Sequence, residues 1–526
     1  MIAQSTRTSP KTHAPAVAAG ILLSRVVGLV RDRAFAHYFG NSDASDAFRA
    51  AFRIPNFLQN LFGEGVLSAS FIPIYARLNA EDRKDDASQL AEAVFALLLF
   101  VTTILVVAGV FATPWLIDLI APGFHGDKRL LTIQLVQILF PGAALLVLSA
   151  WCLGILNSHR KFFLSYAAPV IWNAAMIATL IWGGRHHTES RLAVLLAVGS
   201  VIGSGLQFAV QLPTVMRFLW PLRLHLDFAT EHVRAVVRNF FPVFLSRGVV
   251  QISAYIDSWL ASFLGTGAVS ALGYAQTLYT LPVSLFGMAV SAAELPAMSS
   301  ALGTPAEIAD ALRQRLRQGL SQIAFFVIPS AVAFVLLGDV IVATIYRSGH
   351  FQEADVLFVW GVLAASAVGL LASTSGRLYS SAFYALRNTR TPLKFAVLRV
   401  ALTLSLGYIC ALPLPRLLGL DRRWGTAGLT LSAGIAGWVE FLLLRGALDK
   451  QIGVVQSPGS RIARLWLVAL VAAAISLGIK RMLPFHTPLL VGPSVLVPYG
   501  AFYLALTQWM GIASMGAVGR LFTRRR

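Results

Sequence analysis

The chain has 526 residues, of which 56% are hydrophobic and only 13% charged, where a soluble domain carries roughly 25% charged residues. Long apolar runs recur from end to end, which excludes a water-soluble enzyme, and alternating segments of about ten residues are missing, which excludes an outer-membrane barrel. The formal net charge of +19 would raise nucleic acid as a partner in a soluble protein, but in a membrane protein the location of the charges decides their meaning.

A span needs about 20 mostly apolar residues. Fourteen such segments are predicted, centred near residues 27, 60, 103, 143, 172, 202, 252, 285, 328, 367, 403, 435, 472 and 503. The expected fold is an all-α polytopic membrane protein. The first, second and seventh segments are the least apolar because they carry charges. The first 15 residues are polar and lead into a long charged helix, so no cleavable signal peptide is predicted. Fourteen spans put both termini on one side. Lys and Arg concentrate there, in the tails and in loops such as Arg160-Lys161, Arg313/Arg315/Arg317, Arg387/Arg390/Lys394 and Arg524-Arg525-Arg526. Both termini are therefore predicted cytoplasmic. The basic loops are expected against anionic headgroups, and no nucleic acid is needed to explain the charge.

The first span contains SRVVGLVRDRAFAHYFG, residues 24 to 40, with Arg25, Arg31, Asp32 and Arg33 inside an otherwise apolar run. Arg25 and Asp32 lie about two turns apart on one helical face and could form an intrahelical salt bridge. In the second span Asp46, Arg49, Arg53, Asn56 and Asn60 are spaced by three or four, which places them on one stripe. Glu64 continues it, or bonds a neighbouring helix. Pro55 is predicted to kink or break this helix. Arg247 and Asp257 fall in the seventh span, Glu294 in the eighth, Arg377 in the tenth, Arg399 in the eleventh and Glu440 in the twelfth. Ionisable residues at such depths usually face a protein interior or a wet cavity. Arginines dominate, and guanidinium in a low dielectric suits phosphate; a lipid pyrophosphate is the natural occupant. The alternative for Arg33, Arg49 and Arg53 is snorkelling to headgroups. For Arg377, Arg399 and Glu440 structural pairing is expected.

An internal repeat runs through these segments. LFGEGVLSASFIP (61 to 73) is echoed by LFGMAVSAAELP (285 to 296), Ser24-Arg25 by Ser246-Arg247, and GILNSHRKFFL (154 to 164) by FYALRNTRTPL (383 to 393). Two parallel six-helix lobes are expected, residues 1–220 and 221–450, with the charged helices lining a cleft between them. Residues 451–526 supply two further helices outside the repeat, lipid-facing or groove-forming. Gly199, Gly203 and Gly205 are read as close helix packing, His186-His187 as a solvated loop, and Cys152 and Cys410 as small buried hydrophobes. No P-loop, HExxH or GxSxG is present, so no enzyme activity, cofactor or metal is predicted.

The quoted stretch 24 to 40, SDAFRAAFRIPNFLQNLFGEGVLSASFIPIYA (45 to 76) and LIAPGF (119 to 124) resemble the MurJ (MviN) family of the multidrug/oligosaccharidyl-lipid/polysaccharide exporter superfamily, over essentially the whole chain. The resemblance implies a lipid II flippase of the bacterial inner membrane. It would carry this undecaprenyl-pyrophosphate-linked peptidoglycan precursor from the cytoplasmic to the periplasmic leaflet by alternating access. It implies functional roles for Arg25, Arg31 and Asp46, the last pairing with an arginine in one state, and matches Pro55, Asn56, Glu64 and Gly65 to the family's PN…EG pattern. The chain departs from that pattern at Gln59-Asn60 and Thr277, where relatives carry arginines; Arg49, Arg53 and Arg247 are the candidates to compensate. Some relatives resemble sodium-coupled transporters. Asp257 could serve such an ion site, but Arg399 and Thr403 stand where the eleventh span would need acids. The rival readings are a flippase for another polyprenyl-linked oligosaccharide and a non-transporting scaffold of a cell-wall synthesis complex.

Overall fold

The computed structural model describes residues 14–67, 70–219, 233–234, 236–238, 255–300, 304–455 and 459–512. Among them all regular structure is helical, apart from one isolated bridge between Ser348 and Phe351. The first two predicted spans are helical where expected: α1 (Ala14–Phe39), then α2 (Asp43–Leu58), a π-helix (Gln59–Leu67) and α3 (Ile72–Ala80). Their charges set them apart from the remaining, more apolar spans. Ten described helices are long and apolar enough to cross a membrane, or eleven when one pair bent by 42° counts as a single span.

These eleven coincide with the third to sixth and the eighth to fourteenth predicted spans. They are α4 (Lys84–Ile120), α5 (Gly126–Ser158), α6 (Phe162–Gly183), α7 (Glu189–Leu219), and then α8 (Ala268–Pro282) with a second π-helix (Val283–Met288) and α9 (Ala289–Ser299). α10 (Pro305–Leu336) is followed by the short α11 (Gly338–Tyr346), the bent pair α12 (Glu353–Ala367) and α13 (Leu370–Ala385), α14 (Arg390–Ala411) and the short α15 (Pro413–Leu417). α16 (Gly425–Ile452), α17 (Gly459–Met482) and α18 (Pro488–Trp509) complete the chain. The predicted seventh span lies mostly outside the described residues; its end, 255–262, is helical.

The π-helices have a local origin. Pro55 and Pro282 carry no N–H, so the carbonyl four residues back loses its donor. α2 nevertheless continues past Pro55, and the ladder widens only at Gln59; after Pro282 it widens at once. The expected kink is thus a change of helix type. Both Leu-Phe-Gly repeats, 61–63 and 285–287, lie inside these π-helices. The basic-loop echo is also reproduced in the backbone. Arg160 and Arg387 both take the left-handed conformation (φ 60° and 57°). In each case the following N–H reaches back five residues, Lys161 to Leu156 O and Asn388 to Phe383 O, closing the preceding helix as a Schellman motif.

Packing divides the chain into two compact units, Met1–Phe263 and Leu264–Arg526. The expected lobe boundary at 220 and 221 lies outside the described residues. In the first unit α5 packs on α2, α4 and α7, and α1 lies along α6. Trp151 of α5 is fully buried, and its indole N–H donates to Ala91 O of α4 (3.2 Å). A Cβ on Gly199 would meet Thr179 Oγ1 at 2.2 Å and one on Gly203 would meet Trp172 at 3.0 Å, so α6 and α7 approach through these glycines; Gly205 has ordinary clearance, 3.8 Å. Cys152 is buried in this core, whereas Cys410 in the second unit is only half-buried.

In the second unit α17 packs on α10, and α18 on α11 and α17. Pro329 interrupts α10 and deprives the Phe325 carbonyl of its helical donor. The Tyr503 hydroxyl of α18 donates to that carbonyl at 2.6 Å, and Tyr499 donates to Pro329 O at 2.7 Å. α18 therefore satisfies a backbone carbonyl that α10 by itself leaves open. Large apolar side chains such as Phe111 (75% exposed) and Trp115 (73%) face outward. In water such a surface would invite association, but against hydrocarbon it costs nothing.

Candidate functional site on the first two helices

α1 and α2 meet at a tight turn in which Gly40 adopts φ 52°. The Ser42 hydroxyl then accepts from Ser45 N (3.3 Å) and caps α2. Asp43 and Asp46 occupy the first turn, where negative charge meets the positive end of the helix dipole. Asp46 is completely buried, and an unpaired carboxylate there would be expensive. Lys128, from the first turn of α5, supplies the countercharge. Its Nζ lies 2.7 Å from Asp46 Oδ2 and 2.8 Å from Asp43 Oδ1, and 4.4 Å from the centre of the Phe124 ring. A cation at a helix N-terminus opposes the dipole, so the carboxylates are what hold it there. In this conformation a lysine is paired with Asp46.

Arg31 is held on three sides. Asp32 Oδ1 accepts from its Nε (3.1 Å) and Nη2 (2.8 Å), Asn173 Oδ1 accepts from Nη1 (3.0 Å), and the guanidinium carbon sits 5.1 Å from the Trp172 ring centre. α6 keeps that platform rigid: Asn173 donates to Pro169 O (2.9 Å) and Trp172 to Ser200 Oγ (3.2 Å). Asp32 therefore pairs with the adjacent Arg31 rather than with Arg25 two turns away, and α6 holds the same guanidinium through Asn173 and Trp172. Arg25 is exposed, and Arg33 is half-buried.

The stripe on α2 divides. Asp46, at its edge, turns into the packing against α5, while Arg49, Arg53 and Asn56 are half-buried and Asn60 is exposed. Arg49 lies over the Phe35 ring (5.1 Å) and Arg53 over Tyr255 (5.8 Å), whose hydroxyl donates to Arg53 O (2.9 Å). Asp257 is near enough to act on the charge of Arg53. Beyond Leu58 the wider π turn shifts the phase, so the even spacing to Asn60 and Glu64 no longer follows α-helical geometry. The side chain of Glu64, and Arg247 altogether, lie outside the described residues.

In the second unit the intramembrane charges pair locally. Arg399 reaches Glu440 at 3.0 Å and Glu294 lies 3.7 Å from Arg315, while Arg377 is exposed. Among the described residues no group of three or more His, Cys, Asp or Glu could hold a metal ion. Lys128, Asn173 and Trp172 escaped sequence reasoning. An asparagine within the apolar run PVIWNAAM (169 to 176) was the one available signal; Lys128 reads as an ordinary loop cation. The arrangement presents guanidinium groups, each steadied by an aromatic face, in a membrane-embedded unit. That chemistry suits an anion.

The family described as "Lipid II flippase MurJ" matches residues 35–495. A lipid II flippase MurJ of Burkholderia cenocepacia is 34% identical over 472 residues, covering 87% of this chain and 86% of the relative. A solved structure described as lipid II flippase MurJ in an inward closed conformation superposes with a TM-score of 0.76 at 25% identity, covering 94% of this chain and all of that one. An inward-facing multidrug resistance transporter of the MATE family and MOP superfamily shares the fold, with a TM-score of 0.64 at 17% identity over 84% of this chain and 99% of that one.

Proposed function

We propose, from the premise that this multi-pass membrane protein belongs to the lipid II flippase MurJ family, that it moves lipid II across the bacterial inner membrane by alternating access. It is a transporter family, not an enzyme family. The observation that carries the cargo assignment is the guanidinium set Arg31, Arg49 and Arg53, half-buried on α1 and α2 and each lying over an aromatic ring. Partial desolvation strengthens the attraction of such groups for a diphosphate. Arg31 has five N–H donors, and its bonds to Asp32 and Asn173 use three of them; phosphate would take the others or displace Asp32. Arg25, exposed on the same helix, would make the first encounter. Arg247 belongs to the same proposed set, and Asp257 is the candidate for a coupling ion or for balancing Arg53.

On this reading both termini are cytoplasmic. The working partners are the membrane, the lipid-linked precursor and the cell-wall synthesis complex that consumes it. The test is functional replacement: the chain is expressed in bacteria depleted of their own lipid II flippase, and lipid II reaching the outer leaflet is measured. The unaltered chain should restore exposure, and Arg31→Ala, inserted to the same level, should not. A well-inserted chain that restores nothing would overturn the reading and point to the uncharged Gln59 and Thr277 as marks of another cargo.

A further inference from the structure

A second basic site lies away from the α1–α2 arginines, at the turn between α5 and α6. It is a pocket of about 650 Å³ whose lining includes Arg160, Lys161, Arg217, Thr214, Phe163 and Phe218, and among the described residues no acidic side chain. Four independent features converge on it. Arg160 is held at φ 60°, a conformation that glycine adopts freely and that costs other residues roughly 1 kcal/mol or more. The left-handed turn that closes α5 therefore places an arginine side chain at the pocket. Lys161 is the N-cap of α6, and no side chain caps that helix, so its first N–H groups and dipole end face the same place. Arg217 comes from the last turn of α7. The aromatic wall is fixed: Phe218 stacks on the His159 ring at 3.9 Å, 2° from parallel, and His159 Nε2 hydrogen-bonds the Tyr75 hydroxyl of α3 at 2.9 Å. Phe163 stands exposed beside it, as a side chain facing acyl chains would.

We propose that this pocket binds the phosphate of a membrane lipid, with Arg160, Lys161, Arg217 and the N-terminus of α6 as the anion cradle and Phe163 against the acyl chain. The loop between the fourth and fifth spans and the end of the sixth lie on the side that the positive-inside distribution makes cytoplasmic, so the lipid comes from that leaflet. Two sources share the chemistry, an anionic phospholipid and a polyprenyl diphosphate. Neither requires the α1–α2 arginines, so the site stands or falls apart from the transport reading.

The test uses the full chain in neutral micelles with four probes: phosphatidylglycerol, phosphatidylcholine, undecaprenyl diphosphate and inorganic phosphate, with bound lipid counted by native mass spectrometry. Arg160→Gly suits the left-handed backbone, so its Tm should hold or rise. Its affinity for an anionic lipid should fall roughly tenfold, the scale of one lost charge-assisted contact, and Arg160→Gly/Arg217→Gln should fall further. Loss of phosphatidylglycerol names the phospholipid as ligand. Loss confined to undecaprenyl diphosphate, with Arg31→Ala leaving the same binding intact, names the lipid diphosphate. Equal affinities in the unaltered and Arg160→Gly chains, phosphatidylcholine binding as tightly as phosphatidylglycerol, or binding of inorganic phosphate alone would overturn the proposal.

Discussion

Lys128 Nζ lies 2.7 Å from Oδ2 of Asp46, a carboxylate with no exposed surface, and thereby ties the start of α5 to the start of α2. The same ammonium holds Asp43 at 2.8 Å, so one cation serves two carboxylates at one end of the first unit.

Removing that cation takes a countercharge from a buried carboxylate. Lys128→Ala is expected to cost about 3–5 kcal/mol, the range for breaking a buried pair from one side. Asp46→Asn leaves Lys128 its second partner and should cost less, about 1–3 kcal/mol. Thermal unfolding in detergent checks both; equal small losses would show that the pair is not holding the corner together. Should Asp46 also gate transport, Asp46→Asn will shift cysteine accessibility on α2 toward one state, and an unchanged pattern removes that role.

Asn173 and Asp32 position Arg31, so their loss should appear in transport before it appears in folding. Asn173→Leu removes one bond to a charged group, about 1.5–3 kcal/mol, and outer-leaflet lipid II should drop several-fold. Arg31→Lys should fail as Arg31→Ala does, because an ammonium cannot reproduce three directed bonds and a stacked plane. Full activity of Arg31→Lys would reduce the residue to a point charge.

Tyr503 and Pro329 form a compensating pair. Tyr503→Phe leaves the buried Phe325 carbonyl without its hydroxyl donor and should cost about 1–3 kcal/mol. Pro329→Ala restores a backbone donor to the same carbonyl. The double variant should then be more stable than the sum of its parts, and simple additivity in a double-mutant cycle would refute the pairing.

His159 links pH to stability. Burial lowers its pKa below the ordinary 6.5, so the folded protein keeps the imidazole neutral while the unfolded chain protonates. The contribution is intact above about pH 6.5 and is lost as pH falls through the lowered folded-state value. The Tm should therefore decline on acidification below neutrality, and His159→Gln should flatten that decline. Parallel Tm profiles for the two proteins would assign the acid sensitivity to other groups.

Hydropathy made the eleven apolar spans legible by their centres, because burial in hydrocarbon demands about 20 apolar residues whatever the fold around them. The Leu-Phe-Gly and basic-loop echoes were legible for a similar reason: each marks a local backbone event, a π-helix or a left-handed turn, that neighbouring residues dictate. That charges in α1 and α2 would need partners was also visible, since charge in a span is costly wherever it points. Which charge meets which was not visible. Arg31 takes Asn173 from 142 residues away and Asp46 takes Lys128 from 82 away. A helical wheel gives Asp46 the company of Arg49 and Arg53; packing against α5 adds Lys128. Partner choice depends on which helices touch and at what height, and only the tertiary structure sets that.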